Sequence, residues 1–173
     1  MTLLELPLSW RGRALVLRDV VLSRDAFTAE ELAICDAFQL PKRREEWMRA
    51  RIAAKELGVA GSHISFSHSG PYAAAAIDSA PVGIDVQVVR EIAERVAHFF
   101  LADDEEEAMK RCTIEHRLLH FWCAKEAAWK QRQGTIPTLK RIALRLVEER
   151  EDGLTFDLAE TVQIGDAIVA LTR

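Results

Sequence analysis

The chain has 173 residues, of which 49% are hydrophobic and 29% are charged, a composition typical of one compact globular unit. Its formal net charge of −4 argues against binding to nucleic acid or to an anionic membrane through overall charge. The amino terminus lacks the pattern of a signal peptide, and no apolar run reaches the roughly 18–20 residues that span a bilayer, so we expect a cytoplasmic protein.

The chain has three cysteines, Cys35, Cys112 and Cys123. Their odd number and irregular spacing fit neither a disulfide framework nor a paired metal motif. We therefore expect buried, reduced thiols.

Taken in chain order, the first half predicts a strand over 14–22, helices over about 29–38 and 42–57, and a short strand from Ile64. Thr28 and Glu31 have the spacing of a capping box, which favours a helix start after Thr28. Pro41 suits the first turn of the second helix, and Gly58 suits its end.

The pattern over 72–88 predicts a β-hairpin of strands 72–77 and 82–88 with a turn over 78–81. This register would place Asp85 opposite Ala74 and Gln87 opposite Tyr72. The face around Asp85 would then consist of small residues, among them Ala76 and Gly83. Such a carboxylate is either a structural acid or a ligand for a substrate or metal.

The second half predicts three helices, over 91–100, 103–112 and 115–132, followed by two or three strands between Ile142 and Ala170. The order strand, helices, strands thus occurs twice along the chain. This order suggests a duplication, although the two halves share no detectable sequence identity.

In the last of these helices, Trp122, Glu126 and Lys130 share one face because they are spaced four residues apart. Glu126 and Lys130 could form an ordinary surface ion pair. The neighbouring Phe121 and Trp129 favour a partly desolvated pair, and such pairs occur often at functional sites.

His68 stands between Ser67 and Ser69 directly after a predicted strand. An imidazolium and two hydroxyls can all donate hydrogen bonds to an anion. A Ser–His nucleophilic pair is disfavoured because the strand-to-helix turn that presents such a serine is missing.

The predicted helix 42–57 is rich in basic residues. Arg44, Arg51 and Lys55 lie on one side of it, at spacings of seven and four residues. This side is either a solvated face or a cradle for a phosphate. DNA binding is disfavoured by the acidic total and by the absence of a helix-turn-helix pattern.

Three of these segments resemble the 4′-phosphopantetheinyl transferases in order and spacing. They are His68-Ser-Gly70, Gly83-Ile-Asp-Val-Gln87 and Trp122-Cys-Ala-Lys-Glu-Ala-Ala-Trp-Lys130, and the basic stretch 42–55 is similar to the basic helix of that family. The resemblance covers roughly residues 38–134 and is to the longer, pseudo-dimeric monomers. It implies an α+β fold of two similar halves related by a pseudo-twofold axis, over residues 1–86 and 87–173, with the active site between them.

The resemblance also implies the reaction, which is Mg²⁺-dependent transfer of phosphopantetheine from coenzyme A to a serine of an acyl or peptidyl carrier protein. Asp85 and Glu126, with Gln87, would ligate the metal, and Glu126 could act as base. Lys130 would stabilise the developing charge or protonate the leaving phosphate. Coenzyme contacts would come from the side chains of Arg44, Arg51, Ser67, His68 and Lys130. A monomer would suffice, since both halves lie in one chain.

The sequence departs from the family pattern in two places: Gln87 stands where an acid is usual, and the segment 58–63 is short and lacks a Gly-Lys-Pro loop. One alternative function is therefore a catalytically weak relative that binds coenzyme A or a carrier protein without efficient turnover. A second alternative is an unrelated structural or interaction domain. Phe99, Phe100 and Leu101 are candidates for an apolar contact with the carrier, or for closing the core.

Overall fold

A computed structural model of the chain describes residues 1–58 and 61–173. Val59 and Ala60 lie outside the described residues, and with them part of the short segment 58–63. No helix among the described residues is long and apolar enough to cross a membrane.

The described residues form nine strands and four α-helices. The strands are β1 (Thr2–Leu3), β2 (Ala14–Arg18), β3 (His63–Ser69), β4 (Tyr72–Asp78), β5 (Ile84–Val88), β6 (Leu146–Glu149), β7 (Leu154–Phe156), β8 (Ala159–Ile164) and β9 (Ala167–Thr172). The helices are α1 (Ala29–Ala37), α2 (Pro41–Leu57), α3 (Asp103–Arg111) and α4 (Arg117–Gln131). A 3₁₀ helix, Glu94–Phe99, replaces the predicted helix 91–100, and four strands follow α4 instead of two or three.

Local capping signals set the ends of α1 and α2 as the sequence predicts. The backbone N–H of Glu31 donates to Thr28 Oγ1, and the N–H of Thr28 donates to a carboxylate oxygen of Glu31, which completes the capping box. Pro41 occupies the first turn of α2, and Gly58 ends the helix with a φ of 65°.

The strands form two antiparallel sheets, with the orders β1-β2-β4-β3 and β5-β9-β8-β7-β6. α2 covers one face of the first sheet, where Ala73 and Ala75 allow it to pack closely. α4 covers one face of the second sheet, against Ile168 and Ala170. The opposite faces of the two sheets share a core. The predicted α+β fold is therefore confirmed, while the division into residues 1–86 and 87–173 remains a prediction.

The predicted hairpin of β4 with β5 is wrong. β4 pairs with β2 and β3, and β5 pairs with β9 of the other sheet. The physical reason is the two-residue turn Gly70-Pro71, which joins β3 directly to β4. With β2 on its other side, β4 has no free edge for β5.

This pairing changes the surroundings of Asp85 and Gln87. Asp85 lies opposite Ala170 and Gln87 opposite Ile168, not opposite Ala74 and Tyr72. Both side chains therefore belong to the face of the second sheet that α4 covers. The predicted pocket of small β4 residues does not exist at this position.

The two sheets meet edge to edge at β3 and β5, and we call this junction the seam. The backbones of β5 and β3 do not pair. The backbone N–H groups of β5 that face β3 therefore need other hydrogen-bond acceptors. Serine hydroxyls of β3 accept them, in the pairs Ile84 to Ser65 at 3.0 Å, Val86 to Ser67 at 3.2 Å and Val88 to Ser69 at 3.0 Å. Side chains of one sheet thus hold the edge strand of the other.

Gly83, just before β5, lets this strand approach α4. A Cβ atom at Gly83 would lie 1.9 Å from the carbonyl oxygen of Ala127 and 2.7 Å from the backbone nitrogen of Gln131. We expect Gly83→Ala to push β5 away from α4 and to lower the free energy of unfolding by roughly 1–3 kcal/mol. Urea unfolding measures this loss, and wild-type stability would show that the two elements are not in close contact.

Two further predictions concern buried apolar groups. The three cysteines are buried and free, as expected. Phe100 and Leu101 also belong to the core, with exposed fractions of 2% and 1%, whereas Phe99 is 71% exposed. Of the two alternatives for Phe100, the structure supports closing of the core, because this side chain packs edge-on against Trp122 at 5.0 Å between ring centroids.

Candidate active site

A cleft of about 510 Å³ lies over the seam, between α2 and α4. Most of the predicted site residues line it, namely Arg51, Ser67, His68, Asp85, Gln87, Glu126 and Lys130. These side chains come from two helices and from the two strands at the seam. α2 supplies Arg51, β3 supplies Ser67 and His68, β5 supplies Asp85 and Gln87, and α4 supplies Glu126 and Lys130.

The Asp85 carboxylate lies at the centre of the polar contacts in the cleft and is 2% exposed. Its Oδ1 accepts hydrogen bonds from the Ser67 hydroxyl and from Lys130 Nζ, each at 2.7 Å. Its Oδ2 accepts one from Gln87 Nε2 at 2.9 Å. Lys130 Nζ also donates to the carbonyl oxygen of Ile84 at 3.0 Å. A buried carboxylate with these donors and one ammonium partner is well compensated as an anion.

Glu126 stands one helical turn before Lys130 and points into the same cleft. It makes no hydrogen bond with another described residue. Burial raises the pKa of Glu126 above its usual value, and the negative charge of Asp85 raises it further, while Lys130 opposes both. This carboxylate therefore has free oxygen lone pairs and a greater tendency than usual to accept a proton.

His68 lies across the cleft from α4, with its Nε2 3.5 Å from a carboxylate oxygen of Glu46. Burial lowers the pKa of His68, and the positive charges of Arg43 and Lys130 lower it further, although Glu46 and Asp85 oppose this. The ring is therefore neutral near pH 7. The imidazolium expected from the sequence needs an added negative charge, such as a phosphate.

Of the predicted basic cradle, only Arg51 faces the cleft. Its guanidinium lies over the rings of Trp47 and Phe66, 5.2 Å and 4.8 Å from their centroids, and makes no hydrogen bond with the described residues. Arg44 does not line the cleft, because its Nε donates to the carbonyl oxygen of Phe38 at 2.7 Å. Lys55 is likewise occupied, with Glu31 at 2.6 Å.

The chain is similar in sequence to known proteins over part of its length. The 4′-phosphopantetheinyl transferase superfamily profile matches residues 81–163, which contain Asp85, Gln87, Glu126 and Lys130. The chain is 35% identical over 68 residues to 4′-phosphopantetheinyl transferase psf-1 of Bacillus pumilus, which covers 38% of this chain and 29% of the relative. It is 28% identical over 109 residues to 4′-phosphopantetheinyl transferase ffp of Bacillus subtilis, which covers 57% of this chain and 49% of the relative. Over residues 81–163 the chain is therefore similar to the 4′-phosphopantetheinyl transferase superfamily. The matched segments span about half or less of the two relatives.

The similarity to this superfamily raises the question of whether the acids in the cleft could hold a metal ion. Among the described residues, no three His, Cys, Asp or Glu side chains form a group that could hold a metal ion alone. Asp85 and Glu126 supply two carboxylates, and Glu126 forms no hydrogen bond within the described part of the chain. Because Mg²⁺ commonly takes one or two protein carboxylates and fills its remaining positions with phosphate oxygens and water, this donor set fits Mg²⁺ together with a phosphate substrate.

The sequence argument missed several of the residues that line the cleft. Trp47 precedes Arg51 by one helical turn, so the spacing of α2 could have indicated its position. Glu46 and Arg43 share the neighbouring part of that helix face and also line the cleft. Arg90 lines it as well, but it follows β5 in an irregular segment, and no pattern in the sequence indicates this.

Proposed function

We propose that the protein transfers the 4′-phosphopantetheine group of coenzyme A to a serine of an acyl or peptidyl carrier protein, with Mg²⁺. The observation that supports this best is the convergence of Asp85, Glu126 and Lys130 in one cleft. In this reaction the serine oxygen bonds to the phosphorus next to pantetheine, and a P–O bond of the pyrophosphate breaks. The serine proton is removed, and adenosine 3′,5′-bisphosphate leaves.

Such a transfer requires position and positive charge from the protein more than covalent chemistry. Lys130 places an ammonium in the cleft, anchored to Asp85 and to a backbone carbonyl, where it can stabilise charge on the leaving phosphate. Glu126, whose pKa is raised, is suited to take the serine proton directly or through water. Asp85 and Glu126 would hold Mg²⁺, which neutralises charge on the pyrophosphate when it is bound.

The side of the cleft formed by α2 and β3 is suited to the rest of the coenzyme. The Arg51 guanidinium, which lies over the rings of Trp47 and Phe66, can donate hydrogen bonds into the cleft. The neutral ring of His68 can donate one hydrogen bond to a phosphate oxygen. The proposed coenzyme contacts lie on α2 and β3, in the first half of the chain. The proposed catalytic residues Glu126 and Lys130 lie on α4, in the second half. One copy of the chain therefore supplies the whole proposed site, which is consistent with a monomer.

We expect Arg51→Ala to weaken coenzyme A binding about tenfold or more, because a hydrogen bond to a charged group contributes about 1.5–3 kcal/mol. If Arg51 holds the 3′-phosphate, binding of dephospho-coenzyme A should change much less. Arg44→Ala is the matched control, since it removes the same group from the same helix outside the cleft. Isothermal titration calorimetry with both ligands measures these effects, and equal losses for the two ligands would contradict the role of Arg51.

A change at Gln87 tests the proposed metal site, because the side-chain amide of Gln87 donates a hydrogen bond to Asp85 Oδ2. Gln87→Glu places a carboxylate beside a carboxylate, so in the absence of metal we expect mutual repulsion and a raised pKa for one of the two acids. Added Mg²⁺ should relieve this repulsion, and the variant should bind metal more tightly than the wild type without coenzyme. A metal titration of the free protein measures this, and unchanged affinity would exclude position 87 from the metal site.

Incubation of the protein with an apo-carrier protein, coenzyme A and Mg²⁺ tests the proposed function. We expect the carrier to gain the mass of one phosphopantetheine group, and mass spectrometry of the carrier reads this directly. Omitting the metal should abolish the gain. Coenzyme binding without any mass gain, across fatty-acid, polyketide and peptide carriers, would instead support the weakly catalytic relative.

A further inference from the structure

The three serine hydroxyls at the seam make the same kind of hydrogen bond. Ser65, Ser67 and Ser69 occur at every second position of β3, and each accepts a backbone N–H from β5. This contact satisfies donors that an edge strand would otherwise leave unpaired. To this extent the three serines are equivalent.

Ser67 differs from the other two because its hydroxyl also donates to Asp85 Oδ1, at 2.7 Å. The bond joins a side chain of the first sheet to a carboxylate of the second. Ser65 is equally buried, with an exposed fraction of 6% for both residues, and makes no bond to a carboxylate of the described residues. The two serines therefore differ in this single contact.

The Ser67 hydroxyl proton already takes part in a hydrogen bond. A serine hydroxyl has one proton to donate, and here the Asp85 carboxylate receives it. The oxygen in turn accepts the N–H of Val86 at 3.2 Å. Ser67 has no further proton with which to hold a phosphate, so its predicted contact with the coenzyme does not explain its position.

The two oxygens of Asp85 are held unequally. Oδ1 accepts from Ser67 and Lys130, whereas Oδ2 accepts from Gln87, its one nitrogen or hydroxyl donor among the described residues. A carboxylate fixed at one oxygen by two bonds cannot rotate without losing both. The other oxygen is then presented in one direction, next to Gln87.

We propose that Ser67 is a positioning residue, which fixes the Asp85 carboxylate from across the seam so that it presents Oδ2 to a divalent cation. This inference rests on the proposed function, because it assigns Asp85 to the metal. Hydrogen bonds that orient a ligating side chain commonly affect metal affinity or activity by 10–100-fold when removed. Ser67 would act in this way although it touches neither the substrate nor the metal.

The test compares Ser67→Ala with Ser65→Ala, by binding of Mn²⁺ in the presence of coenzyme A, followed by electron paramagnetic resonance. Both changes remove one acceptor for a β5 N–H, so we expect similar losses in Tm. Only Ser67→Ala should weaken Mn²⁺ binding, about tenfold or more. The Mg²⁺ concentration for half-maximal transfer should rise in the same variant alone.

A second pair of variants separates the hydroxyl from the packing. Ser67→Thr keeps the hydroxyl. Ser67→Val introduces a side chain of nearly the same shape as threonine but without the hydroxyl. We expect the threonine variant to bind Mn²⁺ like the wild type and the valine variant to bind it as weakly as Ser67→Ala. Because threonine and valine have nearly the same volume, this comparison is free of the cavity that alanine would leave.

Equal Mn²⁺ affinity in the Ser67→Ala and Ser65→Ala proteins, or in the threonine and valine variants, would overturn the role of Ser67. Metal binding by the wild type without transfer to any carrier would overturn the proposed function and leave the comparison of serines valid. Absence of Mn²⁺ binding by the wild type with coenzyme A would overturn both.

Discussion

Asp85→Asn is expected to reduce the rate of phosphopantetheine transfer by about a thousandfold, because the loss of a metal ligand costs several kcal/mol of transition-state stabilisation. The variant also removes the charge that anchors Lys130 at 2.7 Å, so two groups of the site are lost together. Glu126→Gln should have an effect of the same order, since it removes both the second carboxylate and the candidate base. Steady-state rates of carrier modification measure both variants.

The control for this prediction is Asp78→Asn, the same chemical change on β4, the strand that precedes β5 in the chain. Asp78 ends β4 and forms an ion pair with Arg13, and it does not line the cleft. We expect this variant to transfer at the wild-type rate. Near-wild-type turnover of Asp85→Asn, or an equal loss in Asp78→Asn, would contradict the site assignment.

Lys125→Met is expected to produce the largest loss of stability, about 3–5 kcal/mol, because it leaves a buried carboxylate without its partner. Lys125 is 0% exposed, and its Nζ donates to Glu105 at 2.7 Å and to the carbonyl oxygens of Leu139 and Ile142. Glu105 also accepts the backbone N–H of Leu144 at 2.7 Å. The pair thus fastens α3 and the segment after residue 138 to α4, the helix that carries Glu126 and Lys130.

Urea unfolding of Lys125→Met measures this loss, and Lys110→Met is its matched control. Lys110 forms an exposed ion pair with Glu106 on α3, at 2.6 Å, and exposed pairs of this kind add little stability. We expect the control to unfold like the wild type. A loss in Lys125→Met no larger than in the control would show that the buried pair does not fasten these segments.

Lys125 also illustrates what the sequence alone could establish. It stands beside Glu126 in the motif of α4, yet its side chain is buried against Glu105 and does not line the cleft. Helical spacing predicts that Glu126 and Lys130 share a face, and the structure places both in the cleft. The capping residues Thr28 and Gly58 likewise predict the helix ends, because the signals for these ends are local.

Contacts between distant segments could not be predicted in this way. The pattern of β4 and β5 fits a hairpin, and only the competing pairs of β4 with β2 and β3 exclude it. The choice between Arg44 and Arg51 depends on the carbonyl of Phe38, which lies before the helix begins. The bond from Ser67 to Asp85 depends on the seam, which exists only after two sheets have formed.

The most direct test of the site is a crystal structure of the protein with coenzyme A and Mn²⁺. We predict an anomalous scattering peak in contact with the carboxylates of Asp85 and Glu126, and a pyrophosphate close to Lys130 and His68. A separate cleft of about 470 Å³, bounded by Glu91 and Arg117, lies beside the amino-terminal end of α4. Nucleotide and metal bound there, or anywhere away from Asp85 and Glu126, would contradict the proposed active site.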